Sequence, residues 1–411
     1  METTILLVFI SLAVSSPLLA FADSPELPSE MHTINAAGAT FPYPLIDLWR
    51  IEIAKETSDR LQLNYQSIGS GGGVQQHIAK TVNFAASDAP LRVSESKLTP
   101  GTLHIPESIG GVVVAYNIPE IPDSGLKLDG DTIVKIYLGE ITKWNDENIA
   151  KDNPGITLPD EDIIPVRRSD GSGTTFVFTD YLTAVSTEFD EIVGKSKSVQ
   201  WPARTHGAAG NEGVAGIIRS TEYTIGYIEL AYAFQTSMSY AHIKNADGTA
   251  FIEPSLESIS AASKATSKTL PSPNGDWSRV SLVNMPGSES YPIASFTYLL
   301  VYDEISQTTK SKEQAQAVVY MIHWMLTKGQ EFAPQLLYTP ISDEITEIGM
   351  DALSQITYKG ESLWNYESDK VTLPDWFRIV AQFWIKGEIT DAEYIDNLQY
   401  LISKGILQVD N

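Results

Sequence analysis

The chain has 411 residues, 43% hydrophobic and 19% charged, and its 28 Lys and Arg against 52 Asp and Glu give a net charge of −24. That length exceeds one compact domain and that composition suits a sizeable core, while the charge argues against nucleic acid or an anionic membrane surface as partner. Zero cysteines exclude disulfides, thiolate metal sites and a lipidated N-terminal cysteine.

The first predicted element is a leader. Residues 5–22, ILLVFISLAVSSPLLAFA, form an apolar run of signal-peptide length ending in Ala20-Phe21-Ala22, an A-x-A cleavage pattern, although Glu2 stands where a basic residue is usual. Residues 1–22 are therefore expected to be a signal peptide, and the mature chain to be exported. No other stretch approaches the ~18 apolar residues of a membrane span.

Strands and helices are then expected to alternate. The β-rich runs are LQLNYQSIG (61–69), GVVVAYNI (111–118), IIPVRR (163–168), TIGYIEL (224–230) and FTYLLVYDE (296–304). Between them, Leu45, Leu48, Trp49 and Ile53 share one helix face, as do Val74, Ile78 and Val82. This alternation implies an α/β fold with mostly parallel strands. Residues 254–276, rich in Ser, Pro and Lys, read as an exposed insertion.

Three junctions share a pattern: GATFP (38–42), GSGGG (69–73) and DGSGTT (170–175) each place Gly with Ser or Thr just before a predicted helix. A helix N-terminus carries unpaired N–H groups and a partial positive charge, so it receives an anion. Glycine admits a close oxyanion and the hydroxyls add donors. Each junction alone also fits an N-cap and turn. Arg168 beside the third adds a cation that can hold two oxygens of a tetrahedral anion. The net acidity does not forbid this, because screening ends most of its reach within about 8–10 Å.

Enzymatic motifs fail one by one. Gly69/Gly71 and Gly171/Gly173 meet Val74 and Phe176 where G-x-G-x-x-G needs glycine, and Phe189 stands where a P-loop ending in residues 194–196 needs one. No G-x-S-x-G places Ser70 or Ser172 on a nucleophile elbow. The histidines at 32, 77, 104, 206, 242 and 323 have no metal-ligand spacing. No catalytic residue, metal or cofactor is expected.

The segments AGATFPYPLIDLW, YQSIGSGGGVQQ, FAASDAPL, IGGVVVAYNIP, IYLGEITKWND, VRRSDGSGTTFVFTDYL, GNEGVAG and TIGYIELAYA, in that order over roughly residues 34–345, closely resemble the phosphate-binding proteins of high-affinity phosphate ABC transporters. The resemblance implies a type II periplasmic-binding-protein fold with two lobes and a two-stranded hinge. Lobe I would comprise 31–115 and 292–350 and lobe II 116–291, with crossings near 115 and 292 and a helical extension over 351–411. It further implies phosphate contacts from Thr40 and Phe41, Ser70, Asp88, Arg168, Ser172, Gly173 and Thr174, with Asp170 orienting Arg168. The expected partners are inorganic phosphate and permease subunits, with the protein acting as a monomer; a secreted phosphomonoesterase or a phosphate sensor is the alternative. Ala85 departs from the family's usual glycine. An ionised Asp88 would accept the P–OH of phosphate and repel sulfate, which has no proton to give.

Residues 373–407 lie outside that family. Trp376, Phe377, Val380, Phe383 and Trp384 form one apolar face, and Thr390 with Glu393 fits a capping box before Tyr394, Ile395, Leu398 and Leu401. An αα-hairpin is expected, resembling small tryptophan-containing helical modules that end exported archaeal proteins.

Overall fold

The computed structural model describes residues 24–264, 266, 269–364, 366, 380, 383, 384 and 389–403. The expected signal peptide and most of the first helix of the expected C-terminal hairpin fall outside them. In chain order the principal elements are β1 (His32–Gly38), α1 (Tyr43–Glu56), β2 (Leu61–Ser67), α2 (Ser70–Ile78), β3 (Phe84–Ser87), β4 (Thr102–Asn117), β5 (Ile164–Arg168), α3 (Gly173–Val185), β6 (His206–Ala208), α4 (Gly210–Ser220), β7 (Thr224–Glu229), α5 (Leu256–Lys264), β8 (Ile293–Tyr302), α6 (Lys312–Leu326), α7 (Asp343–Ser354) and α8 (Asp391–Ser403).

One curled sheet organises the body, which runs from Pro25 to Tyr366. Its strand order is β2-β1-β3-β8-β4-β7-β5-β6, with residues 282–283 and 239–240 added beside β8 and β4. β1 pairs in parallel with β2 and β3, and β5 in parallel with β6 and β7. The two central strands, β8 and β4, run antiparallel to their neighbours, so the sheet is mixed and not mostly parallel. β4 changes partner within its length: up to Gly111 it pairs with β8, and from Val112 onward with β7. It is buried along all but its last residue, which suits a near-continuous apolar run at a sheet centre.

Helix positions follow the apolar spacing, with two differences. Leu45, Trp49 and Ile53 point α1 into the core. α2 ends at Ile78, so Val82 lies in the following turn, still buried. Residues 254–276 are not an exposed insertion. They contain α5, whose Ser258, Ile259, Ala262 and Ser263 are buried. Ser, Thr, Lys and Pro keep that segment's hydropathy low, yet the small side chains of α5 still pack into the body.

Residues 351–364 and Tyr366 pack with the body: α7 buries Ile345, Met350 and Leu353, and Trp364 meets His323 edge-on and stacks on Tyr366. In the separate C-terminal unit, Thr390 and Glu393 form the expected reciprocal cap of α8. There Trp384 stacks on Tyr394 with centroids 4.5 Å apart.

Candidate functional site

The carboxyl ends of the parallel strands converge on one buried place. β1 leads to Thr40, β2 to Ser70, β3 to Asp88, β5 ends in Arg168, and β6 leads to Asn211. In open α/β sheets this end of the strands is where ligands bind. The helices that follow present their N-termini there: Ser70 opens α2, Gly173 opens α3 and Asn211 lies in the first turn of α4.

Backbone geometry brings these ends close. Gly69 has φ +82°, which glycine adopts without strain. Gly71 N donates to Gly171 O at 2.8 Å, joining the second and third junctions. Gly173 admits no side chain, since a Cβ there would fall 2.3 Å from both Asp88 Oδ2 and Ser70 Oγ.

Arg168 is almost completely buried and ion-paired. Its Nε and Nη2 donate to Asp170 at 2.8 and 2.5 Å, and Nη1 donates to Thr174 Oγ1 at 3.2 Å. A guanidinium has five N–H donors, so one on each terminal nitrogen remains as a fork. Asp170 also accepts Gly210 N. Burial opposes its charge, but Arg168 and that N–H hold its carboxyl below the usual range.

The hydroxyls have a fixed polarity. Thr40 Oγ1 accepts Asn211 N at 3.2 Å and Asn211 Nδ2 at 2.8 Å. Thr174 Oγ1 accepts Arg168 Nη1 and Asn211 Nδ2, both at 3.2 Å. Ser172 Oγ caps α3 by accepting Thr175 N at 3.0 Å. A hydroxyl has two lone pairs and one proton, so Thr40 and Thr174, with both lone pairs occupied, have only a proton to offer. Among the described residues none of these three hydroxyls donates to a protein group, although all three are buried. Phe41 buries its ring against Gly110 and its carbonyl accepts Tyr338 Oη at 2.6 Å, while its N–H has no protein acceptor among the described residues.

One acceptor faces these donors. Asp88 is 2% exposed; its Oδ2 accepts Ser70 Oγ at 3.3 Å and its Oδ1 accepts Thr297 Oγ1 at 3.4 Å. Burial pushes its carboxyl up to about 7, against the opposing pull of Arg168 and of those two hydroxyls. The assembly therefore offers many donors, one cation and a single acceptor, which suits a compact tetrahedral oxyanion that carries a proton.

The structure brings Thr40, Arg168, Ser172 and Thr174 together, and Ser70, Asp88 and Gly173 together beside them. Sequence reasoning missed Asn211, which orients two of the hydroxyls, and Thr297 and Tyr338, which arrive from the far end of the chain. Asn211 sat within the quoted GNEGVAG segment without a role. Among the described residues, no group of three His, Cys, Asp or Glu side chains is placed to hold a metal ion.

Comparison with known proteins places the chain in a family. A PBP superfamily domain spans residues 23–323. The Phosphate-binding protein PstS of Pasteurella multocida is 42% identical over 326 residues, 78% of this chain and 90% of its own length. That of the archaeon Methanocaldococcus jannaschii is 39% identical over 346 residues, covering 80% and 88%. Among solved structures, the high-affinity periplasmic phosphate-binding protein PfluDING, bound with phosphate, shares the fold with a TM-score of 0.60 at 19% identity, over 77% of this chain and 92% of its own. With more than two thirds of the chain matched at such identities, it belongs to the phosphate-binding-protein family of the PBP superfamily.

Proposed function

We propose that this chain binds inorganic phosphate outside the cytoplasm and delivers it to the permease subunits of an ABC transporter. The observation that carries the reading is the forced polarity of the site. Buried hydroxyls of Thr40 and Thr174, the Arg168 fork and helix N-terminal N–H groups have only protons to offer, and Asp88 alone accepts. Hydrogen phosphate has oxygens for the first set and a P–OH for the second. Relatives named phosphate-binding proteins support the same ligand.

One chain supplies every one of these groups, so a monomer is sufficient. The two lobes are read as 31–115 with 292–350, and 116–291, closing about crossings near 115 and 292. The change of partner along β4, between Gly111 and Val112, supports a first crossing there. Export rests on the apolar leader of residues 5–22, and among the described residues no helix is long and apolar enough to cross a membrane. The role is carriage and not turnover.

Calorimetric titration of phosphate into the phosphate-depleted full chain tests this. Saturable binding of one phosphate per chain, with no hydrolysis of a phosphomonoester by the same sample, is expected. Absence of phosphate binding, or steady release of phosphate from the ester, overturns it.

A further inference from the structure

A buried carboxylate beyond the site has no assigned role. Glu107 lies on β4 where the pairing with β8 slips: Thr297 faces Ser108, and Tyr298 faces Pro106. Glu107 is thus the extra residue of a β-bulge, a device that re-aims a side chain. It is fully buried, its Oε2 has no hydrogen-bond partner among the described residues, and its Oε1 stands 3.1 Å from Thr297 Oγ1. The same Thr297 oxygen is 3.4 Å from Asp88 Oδ1. One hydroxyl therefore bridges two buried carboxyl groups.

Proton counting decides what such a bridge holds. Thr297 has a single proton and can donate to only one of the two groups. If both were ionised, a hydroxyl lone pair would face a carboxylate oxygen in a dry interior, so one of them must carry a proton and donate to Thr297. Burial opposes the charge of Asp88 most and Asp170 adds to that, but Asp88 has the Arg168 cation and the Ser70 hydroxyl to favour it. Glu107 has no cation; Asp88 raises it further, Tyr65 is its other titratable neighbour, and Gln330 donates only to its backbone carbonyl. Glu229, the third buried carboxyl, lies near Asp88 and is itself held well above the usual range by burial.

We propose that Glu107 is a positioning residue: as the neutral acid it donates to Thr297, so that Thr297 donates to Asp88 and keeps Asp88 the ionised acceptor of the ligand's P–OH. The inference rests on the phosphate reading above. Burial, partly offset by the Thr297 hydrogen bond, pushes the Glu107 carboxyl up to about 8, so the chain of donors is intact at neutral pH. Once Glu107 ionises it claims the Thr297 proton, and Asp88 loses its donor while gaining a negative neighbour.

The test is the pH profile of phosphate affinity in the wild type and in Glu107→Gln, whose amide donates to Thr297 and cannot ionise. The two should agree near pH 7. Above about pH 8 the wild type should fall behind, the ratio of dissociation constants approaching ~10-fold per pH unit for one linked proton. Thr297→Val, which cuts the bridge, should weaken binding at neutral pH where Glu107→Gln does not. In the unmodified chain, binding at about pH 9 should take up a proton, read from binding enthalpies in buffers of different ionisation heat. Superimposable wild-type and Glu107→Gln profiles overturn the inference, as does the absence of proton uptake should that variant fail to fold. A wild type that binds no phosphate at any pH overturns instead the reading on which it rests.

Discussion

Asn211 donates its side-chain amide to Thr40 Oγ1 at 2.8 Å across 171 positions of sequence. The same nitrogen donates to Thr174 Oγ1, and Asn211 Oδ1 accepts Glu229 N at 3.1 Å, which fixes the amide's orientation. One buried side chain thus points the protons of two hydroxyls toward the same place. Asn211→Ala should leave both hydroxyls free to turn and Glu229 N without its acceptor. Phosphate affinity is expected to fall by about 10–100-fold, from the ~1–3 kcal/mol attached to an unsatisfied buried group. Calorimetry on the variant checks this, and an unchanged affinity removes Asn211 from the site.

Arg168→Ala deletes the cation among the converging groups and leaves Asp170 with only backbone N–H groups, those of Gly210 and of Asp170 itself, as partners among the described residues. A loss of about 2–5 kcal/mol in phosphate binding is expected for a truncated buried charge pair. Arg168→Lys should recover little, since a lysine cannot grip Asp170 with two nitrogens and still present a fork. Full recovery by lysine would mean that charge alone, and not geometry, holds the anion.

Lys197 and Glu95, 102 positions apart, form a buried pair, with Nζ 2.8 and 3.0 Å from the two carboxylate oxygens. Burial pushes the Lys197 ammonium down in spite of its partner, while Arg92 and Lys197 together hold the Glu95 carboxyl below the usual range against its own burial. The two shifts pull opposite ways, because desolvating the lysine takes back much of what attraction supplies; the pair fixes geometry more than it stabilises. For Glu95 the folded-state value is the lower one. Its contribution is therefore present above the ordinary carboxylate range and lost as pH falls through the folded value. Lys197→Met should reduce the acid sensitivity of thermal unfolding between about pH 5 and 3. An unaltered pH dependence would assign that sensitivity to other carboxylates.

All the site residues lie within Pro25–Tyr366. A chain ending at Tyr366 is expected to bind phosphate with the affinity of the full chain, measured side by side. A large loss in a folded truncation would assign the C-terminal unit a part in binding.

The sequence disclosed the strands that are rich in β-branched residues and the helices with clear apolar spacing. It also marked the candidate residues at the glycine-marked junctions that the structure gathers at the strand ends, because tight turns, caps and anion cradles use the same few residue types. It did not disclose α5, whose packing face has Ser258, Ala262 and Ser263 around a single large apolar residue, Ile259, nor the antiparallel centre of the sheet, which depends on pairing between β4 and a strand nearly two hundred residues later. Asn211, Thr297 and Glu107 were illegible for one reason. Each acts through a partner distant in sequence, and nothing in the local run around it marks that partner.

Asp88 gives the most discriminating prediction. Asp88→Asn keeps size and one acceptor oxygen, removes the charge and adds an N–H donor. The wild type is expected to reject sulfate for two reasons, repulsion between carboxylate and anion and the lack of a proton for Asp88 to accept. The variant relieves the first and can donate to a sulfate oxygen, so the ratio of phosphate to sulfate affinity should fall by at least about tenfold, the ~1.4 kcal/mol of one charge-assisted hydrogen bond. Stability should change as well. Burial raises the folded-state carboxyl to about 7, above its unfolded value, so in the ligand-free protein stability tied to this group is complete in acid and is lost as pH rises through about 7. Asparagine has no such titration, and the ligand-free variant should hold its melting temperature better than the wild type at about pH 8. Competition binding of the two anions at fixed ionic strength, with melting curves across that pH range, measures both. A variant that discriminates as sharply as the wild type places selectivity in the geometry of the hydroxyls and not in Asp88.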